Sequence, residues 1–191
     1  MNTFQIIMLV AAAFFAYRIY EHVQGLQDPS ETKREPRRVP ASYDPEVLVE
    51  KADEAYERGD LGRAKALLAE ADVKAPNDPE ILNKLGFILA KEGDADRAIE
   101  HYRASLEVDE EDDMVHSALA SLYREKGEYE EAKAHYEKAL SIDSEYATTY
   151  FNYANLLVDM DEKERAKVMY EKALKYDPEF MQAKFELEKL G

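Results

Sequence analysis

Ala64, Ala98, Ala132 and Ala166 are separated by 34 residues each time, and no other feature of this 191-residue chain restricts its fold so strongly. Other columns keep the same register. Small residues recur at Ala52, Gly86, Ala120 and Ala154, and again at Ala71, Ser105, Ala139 and Ala173. A bulky side chain follows each interior alanine by four, at Leu68, Tyr102, Tyr136 and Tyr170. A period of this length marks one supersecondary unit repeated, each copy burying its apolar face against the next. The expected architecture is therefore a solenoid rather than a globule closed around one centre.

Each unit holds two apolar stretches with helical spacing, shown by Leu82, Leu85, Gly86 and Leu89 and then by Ala98, Tyr102, Ser105 and Leu106. That predicts a pair of antiparallel helices. Gly59, Gly93 and Gly127 fall at the junction, where the left-handed conformation ends a helix, and Asp161 takes that column in the fourth unit. Small side chains at the crossings allow close backbone approach, and the Leu or Tyr four residues on fills the space between neighbouring pairs. Asp44-Pro45-Glu46, Asp78-Pro79-Glu80 and Asp177-Pro178-Glu179 each read as a helix entry, with a capping carboxylate, a first-turn proline and a first-turn acid.

This period and these columns strongly resemble the tetratricopeptide repeat (TPR). The resemblance covers everything after residue 43 and implies an all-α, right-handed solenoid: repeats 45–78, 79–112, 113–146 and 147–180, then a capping helix over 181–191. Lys51 and Asp72 stand in columns that are apolar elsewhere, which suits a first repeat with no neighbour on its outer face. Glu110 and Ser144 replace the prolines found at Pro76 and Pro178, so those two junctions depart from the pattern.

The resemblance also implies a binding groove lined by the second, fifth, ninth and twelfth positions of each first helix. Those columns carry Glu46, Val49, Asp53 and Tyr56; Glu80, Asn83, Phe87 and Ala90; Met114, Ser117, Ser121 and Arg124; and Thr148, Phe151, Asn155 and Val158, with Gln182 and Phe185 added by the cap. Phe87, Met114, Phe151 and Phe185 would form an apolar stripe, with Asn83, Asn155 and Arg124 as flanking donors. Such a wall suits a peptide or helix of a protein partner. The competing reading makes the same residues ordinary core between repeats. Some relatives clamp the acidic tails of heat-shock chaperones with basic groove residues, but Val49, Asp53, Lys84, Met114 and Ala118 at the matching positions lack that set. The acidic first repeat favours a basic or amphipathic segment instead.

Composition removes most other functions. With no cysteine, thiol nucleophiles, disulfides and thiolate metal sites are excluded. The 41 acidic against 25 basic side chains, net −16, argue against nucleic acid. Seven glycines and seven prolines leave little room for phosphate loops or a many-turned β fold. His101 and His135 share a repeat column, yet no further ligand follows a metal-binding spacing, so the four histidines read as exposed and unremarkable imidazoles. No enzyme and no cofactor is expected.

The first 43 residues differ from the rest. Between Phe4 and Tyr17 the only polar side chain is Gln5, and a helix continued to Tyr20 would span about 25 Å. Residues 1–23 therefore read as a single transmembrane anchor, with a cleaved leader or a buried helix as alternatives. Arg18, Lys33, Arg34, Arg37 and Arg38 all follow the apolar run, which directs the repeats to the cytoplasm. Residues 24–43, with Pro29, Pro36 and Pro40, read as a basic linker. The expected protein is a membrane-anchored, single-pass scaffold or adaptor. An assembly or secretion factor facing the other side of the membrane is one alternative. A self-assembling array that stacks through Met181, Phe185 and Leu187 is another. The oligomeric state is left open.

Overall fold

The computed structural model describes residues 44–191. The expected membrane anchor over 1–23 and the linker over 24–43 lie outside the described residues; among those described, no helix is long and apolar enough to cross a membrane.

The described chain is helical throughout: α1 Pro45–Glu57, α2 Leu61–Lys74, α3 Pro79–Glu92, α4 Ala95–Val108, α5 Asp113–Glu125, α6 Tyr129–Ile142, α7 Ala147–Asp159, α8 Lys163–Tyr176 and α9 Met181–Leu190. Helix starts repeat at 34 residues both for the first helices and for the second. Only two or three residues join the two helices of each pair, which forces the chain to reverse.

The reversal is made the same way four times. Gly59, Gly93 and Gly127 adopt φ of 78°, 83° and 77°, and Asp161 takes φ of 57° in the same column. The following residue then donates its N–H five residues back, from Asp60 to Ala55, Asp94 to Leu89, Glu128 to Tyr123 and Glu162 to Leu157, at 2.8–2.9 Å. This satisfies carbonyls that a helix end leaves open. Asp60 and Asp94 next turn their side chains onto the N–H groups of Arg63 and Arg97, so one short stretch closes a helix and opens another.

Two of the three predicted helix entries hold, with Asp44 accepting from Glu46 N–H and Asp78 from Glu80 and Ile81 N–H. The third is a correction. Asp177 caps the C-terminus of α8 and its carboxylate accepts from Glu179 N–H within a turn, while α9 opens at Met181 with no side-chain cap. Pro178 stands in the column of Pro76, which closes a repeat, so the 34-residue phase places the next helix three residues later.

The interior is the set of columns read from the sequence. Ala64, Ala98, Ala132 and Ala166 are completely buried, and Leu68, Tyr102, Tyr136 and Tyr170 are at most 2% exposed. Ser105 replaces alanine in its column without leaving a buried hydroxyl unpaired, because it donates to the carbonyl of Pro79 at 3.0 Å.

Candidate functional site: the first-helix face

Helices α1, α3, α5 and α7 lie side by side, so the groove columns form one continuous face whose two ends differ. At the N-terminal end Tyr56 meets Phe87 edge-on with ring centroids 5.2 Å apart, and Lys91 holds its ammonium 5.3 Å from the Phe87 ring. Both rings remain more than a third exposed. Beside them are two adjoining depressions between α1 and α3, of about 470 and 480 Å³, which share Asp53 and Glu80. Lys84 spans the helices there, its ammonium 2.8 and 2.9 Å from the two carboxylate oxygens of Asp53.

Farther along, the polar wall is committed to its own fold. Ser117 is buried, and Ser121 donates to the carbonyl of Ser117 and pairs with the Tyr136 hydroxyl at 2.9 Å. Arg124 is ion-paired with Asp159 at 2.5 Å, and the Asn83 amide reaches Asp112 at 3.5 Å. Asn155 accepts the Tyr170 hydroxyl at 2.5 Å. Burial pushes the Tyr136 and Tyr170 phenols up to about 12.

The apolar stripe divides in the same manner. Phe151 is half-buried between Tyr170 and Phe180, with ring centroids at 5.8 and 4.8 Å, and belongs to the core. Met114 and Phe185 stay 51% and 60% exposed. Val49 is half-buried in the wall of the acidic depression. The open part of the face thus consists of Tyr56, Phe87, Met114 and Phe185, together with Glu46 beside the Lys84-paired Asp53. Glu50, which lines the same depression, falls outside the groove columns and was missed; its spacing of four from Glu46 was the available signal.

The histidines also require a correction. His116 is buried and His135 half-buried, and their Nδ1 atoms lie 2.9 Å apart. Because His116 Nε2 lies 3.1 Å from the carbonyl of Glu110, that nitrogen carries a proton in the neutral ring; His116 Nδ1 then accepts and His135 Nδ1 donates. Tyr123 stacks on His135 at 5.5 Å and Arg103 lies over the other part of this cluster, 5.7 Å from the Tyr123 ring. Desolvation, then His116, then Arg103 bring the His135 imidazole down to about 4. The unfolded chain therefore binds the proton first as pH falls below about 6.5. The stabilisation that His135 provides is complete above that pH and is lost as pH falls toward 4. His135→Gln, whose amide can still donate to His116, should flatten the dependence of urea midpoint on pH between 7 and 4.5, by at most about 1.4 kcal/mol per pH unit. Equal slopes for both proteins would contradict the assignment. Among the described residues, no group of three or more metal-ligating side chains comes together.

A regular array of helical hairpins with a small-residue interior and one open first-helix face defines an α-solenoid. The family model for the tetratricopeptide repeat matches residues 78–145 and 113–179, and the chain belongs to that family. No curated protein matches it. Among solved structures, MamA 41-end from Desulfovibrio magneticus RS-1 is 21% identical over 76% of this chain and 82% of its own, with a TM-score of 0.70. YrrB, described as a TPR protein with an unusual peptide-binding site, is 18% identical over 77% and 76%, with a TM-score of 0.68. The first TPR of Spaghetti (RPAP3), bound to the HSP90 peptide SRMEEVD, is 24% identical over 59% and 89%, with a TM-score of 0.57. These likenesses establish the fold.

Proposed function

We propose that the chain is a non-enzymatic, membrane-anchored adaptor that holds a segment of a protein partner on its first-helix face, on the cytoplasmic side. One observation carries this reading: Tyr56, Phe87 and Met114 stay open on a single face of an array whose interior columns are buried. Large apolar side chains left exposed together mark contact surfaces. The peptide-bound state of the RPAP3 domain and the peptide-binding site described for YrrB are consistent with that use of the fold. A tether over residues 1–23 would act by raising the local concentration of the groove toward membrane partners.

The test is crosslinking capture from membranes with the full-length protein beside Phe87→Ala/Met114→Ala. Both side chains are substantially exposed, so truncation should leave the helical circular dichroism unchanged, whereas Asn155→Ala would strand the Tyr170 hydroxyl. A partner captured by the wild type should be lost by the variant. A chain lacking residues 1–23 should move from the membrane pellet to the supernatant. Equal capture by both proteins would dismiss the groove, and a truncated chain that stays in the pellet would dismiss the anchor.

A further inference from the structure

The N-terminal end of the face is an apolar groove with a strongly negative wall. Glu46, Glu50, Asp53, Asp78 and Glu80 line one depression around Val49 and Ile81, and no lysine or arginine lines it. Glu46 and Glu50 stand one turn apart on α1 and form no ion pair among the described residues, so like charges face each other without a counter-charge. The chain itself shows how a cation is taken up at this edge. Lys84 bridges α3 to α1 by way of Asp53 and lies 3.7 Å from Glu80. One ammonium is thus held between two carboxylates while Glu46 and Glu50 remain open beside it. The exposed Tyr56 and Phe87 edge lies in the adjoining depression, on the other side of Asp53.

We propose that this end of the groove recognises a short partner segment that presents a lysine or arginine and a large apolar residue on one side. The cation seats between Glu46 and Glu50, beside the Asp53 carboxylate that Lys84 already holds, and the apolar side chain packs against Tyr56 and Phe87. Charge complementarity selects this occupant over an acidic tail, which would bring carboxylates onto a wall of five acids that Lys84 offsets only at Asp53 and Glu80. The inference rests on the groove reading above and adds the chemical class of the partner.

The test uses the full chain in a non-ionic detergent and two fluorescent synthetic peptides of equal length. One carries Lys and Phe at every second position, on the same side of an extended chain; the other carries Glu and Phe there. The expected result is saturable binding of the Lys-Phe peptide and none of the Glu-Phe peptide. Glu46→Gln/Glu50→Gln should weaken the Lys-Phe peptide about tenfold. Glu130→Gln/Glu131→Gln, which removes the same charge from α6, should change it less than twofold. Equal binding of both peptides, or an unchanged affinity for Glu46→Gln/Glu50→Gln, overturns the proposal. Equal weakening by the two charge-matched variants also overturns it, because the attraction would then belong to the whole acidic body. Loss of membrane-partner capture in Phe87→Ala/Met114→Ala together with any of these results would leave the groove standing and remove only the basic partner.

Discussion

Tyr136→Ala is expected to destabilise the repeat array by about 3–5 kcal/mol. Its side chain is completely buried in the middle of the solenoid, where it stacks on Tyr153 with centroids 5.7 Å apart and pairs through its hydroxyl with Ser121. Truncation opens a ring-sized cavity and removes the partner of a hydroxyl on the first-helix face. Each repeat is supported mainly by its neighbours, so a loss in the third repeat weakens both flanks at once. Urea unfolding followed by far-ultraviolet circular dichroism should show a lower midpoint and, if the array splits, a shallower transition. Tyr56→Ala offers the control: its ring is 38% exposed, and the expected cost is about 1 kcal/mol. Comparable midpoints for the two variants would contradict the packing described.

Gly86→Val is expected to cost about 2 kcal/mol, within the range for overpacked cores. A Cβ built on Gly86 would lie 2.9 Å from two atoms of the Tyr102 ring, closer than real contacts allow. Replacing glycine within α3 recovers about 0.5 kcal/mol of helix propensity, so the clash decides the sign. The first repeat holds Ala52 and Leu68 in these two columns, while the third and fourth hold Ala120 with Tyr136 and Ala154 with Tyr170, so the clash belongs to the position of the Tyr102 ring and not to tyrosine as such. Gly86→Ala with Tyr102→Leu would reproduce the pair of the first repeat. The double variant should be more stable than the sum of its single changes predicts, which thermal melts of the four proteins would measure. Strict additivity would show that the Tyr102 ring is not what requires glycine at position 86.

Recurrence made the framework legible. Helix starts at 45, 79, 113, 147 and 181 follow from the period alone, and Asp161 in the glycine column takes the positive φ expected of it. Asp177-Pro178-Glu179 misled because a capping carboxylate followed by proline has the same local appearance at the close of a repeat as at the start of one. Only its phase against Pro76 separates the two.

The candidate site was legible in its columns but not in its availability. Ser121, Arg124 and Asn155 occupy groove positions, yet each is held by a residue 15 to 35 places away on another helix: Tyr136, Asp159 and Tyr170. The meeting of His116 and His135 belongs to the same category, since their separation of 19 residues matches neither the helical period nor the repeat. By itself the sequence determined the unit, its register, its turns and its interior, because those depend on contacts that recur identically every 34 residues. Tertiary structure decided which side chains on the open face stay free and where its negative charge goes unpaired. Those outcomes depend on single cross-helix partners that occur once, and a period carries no information about them.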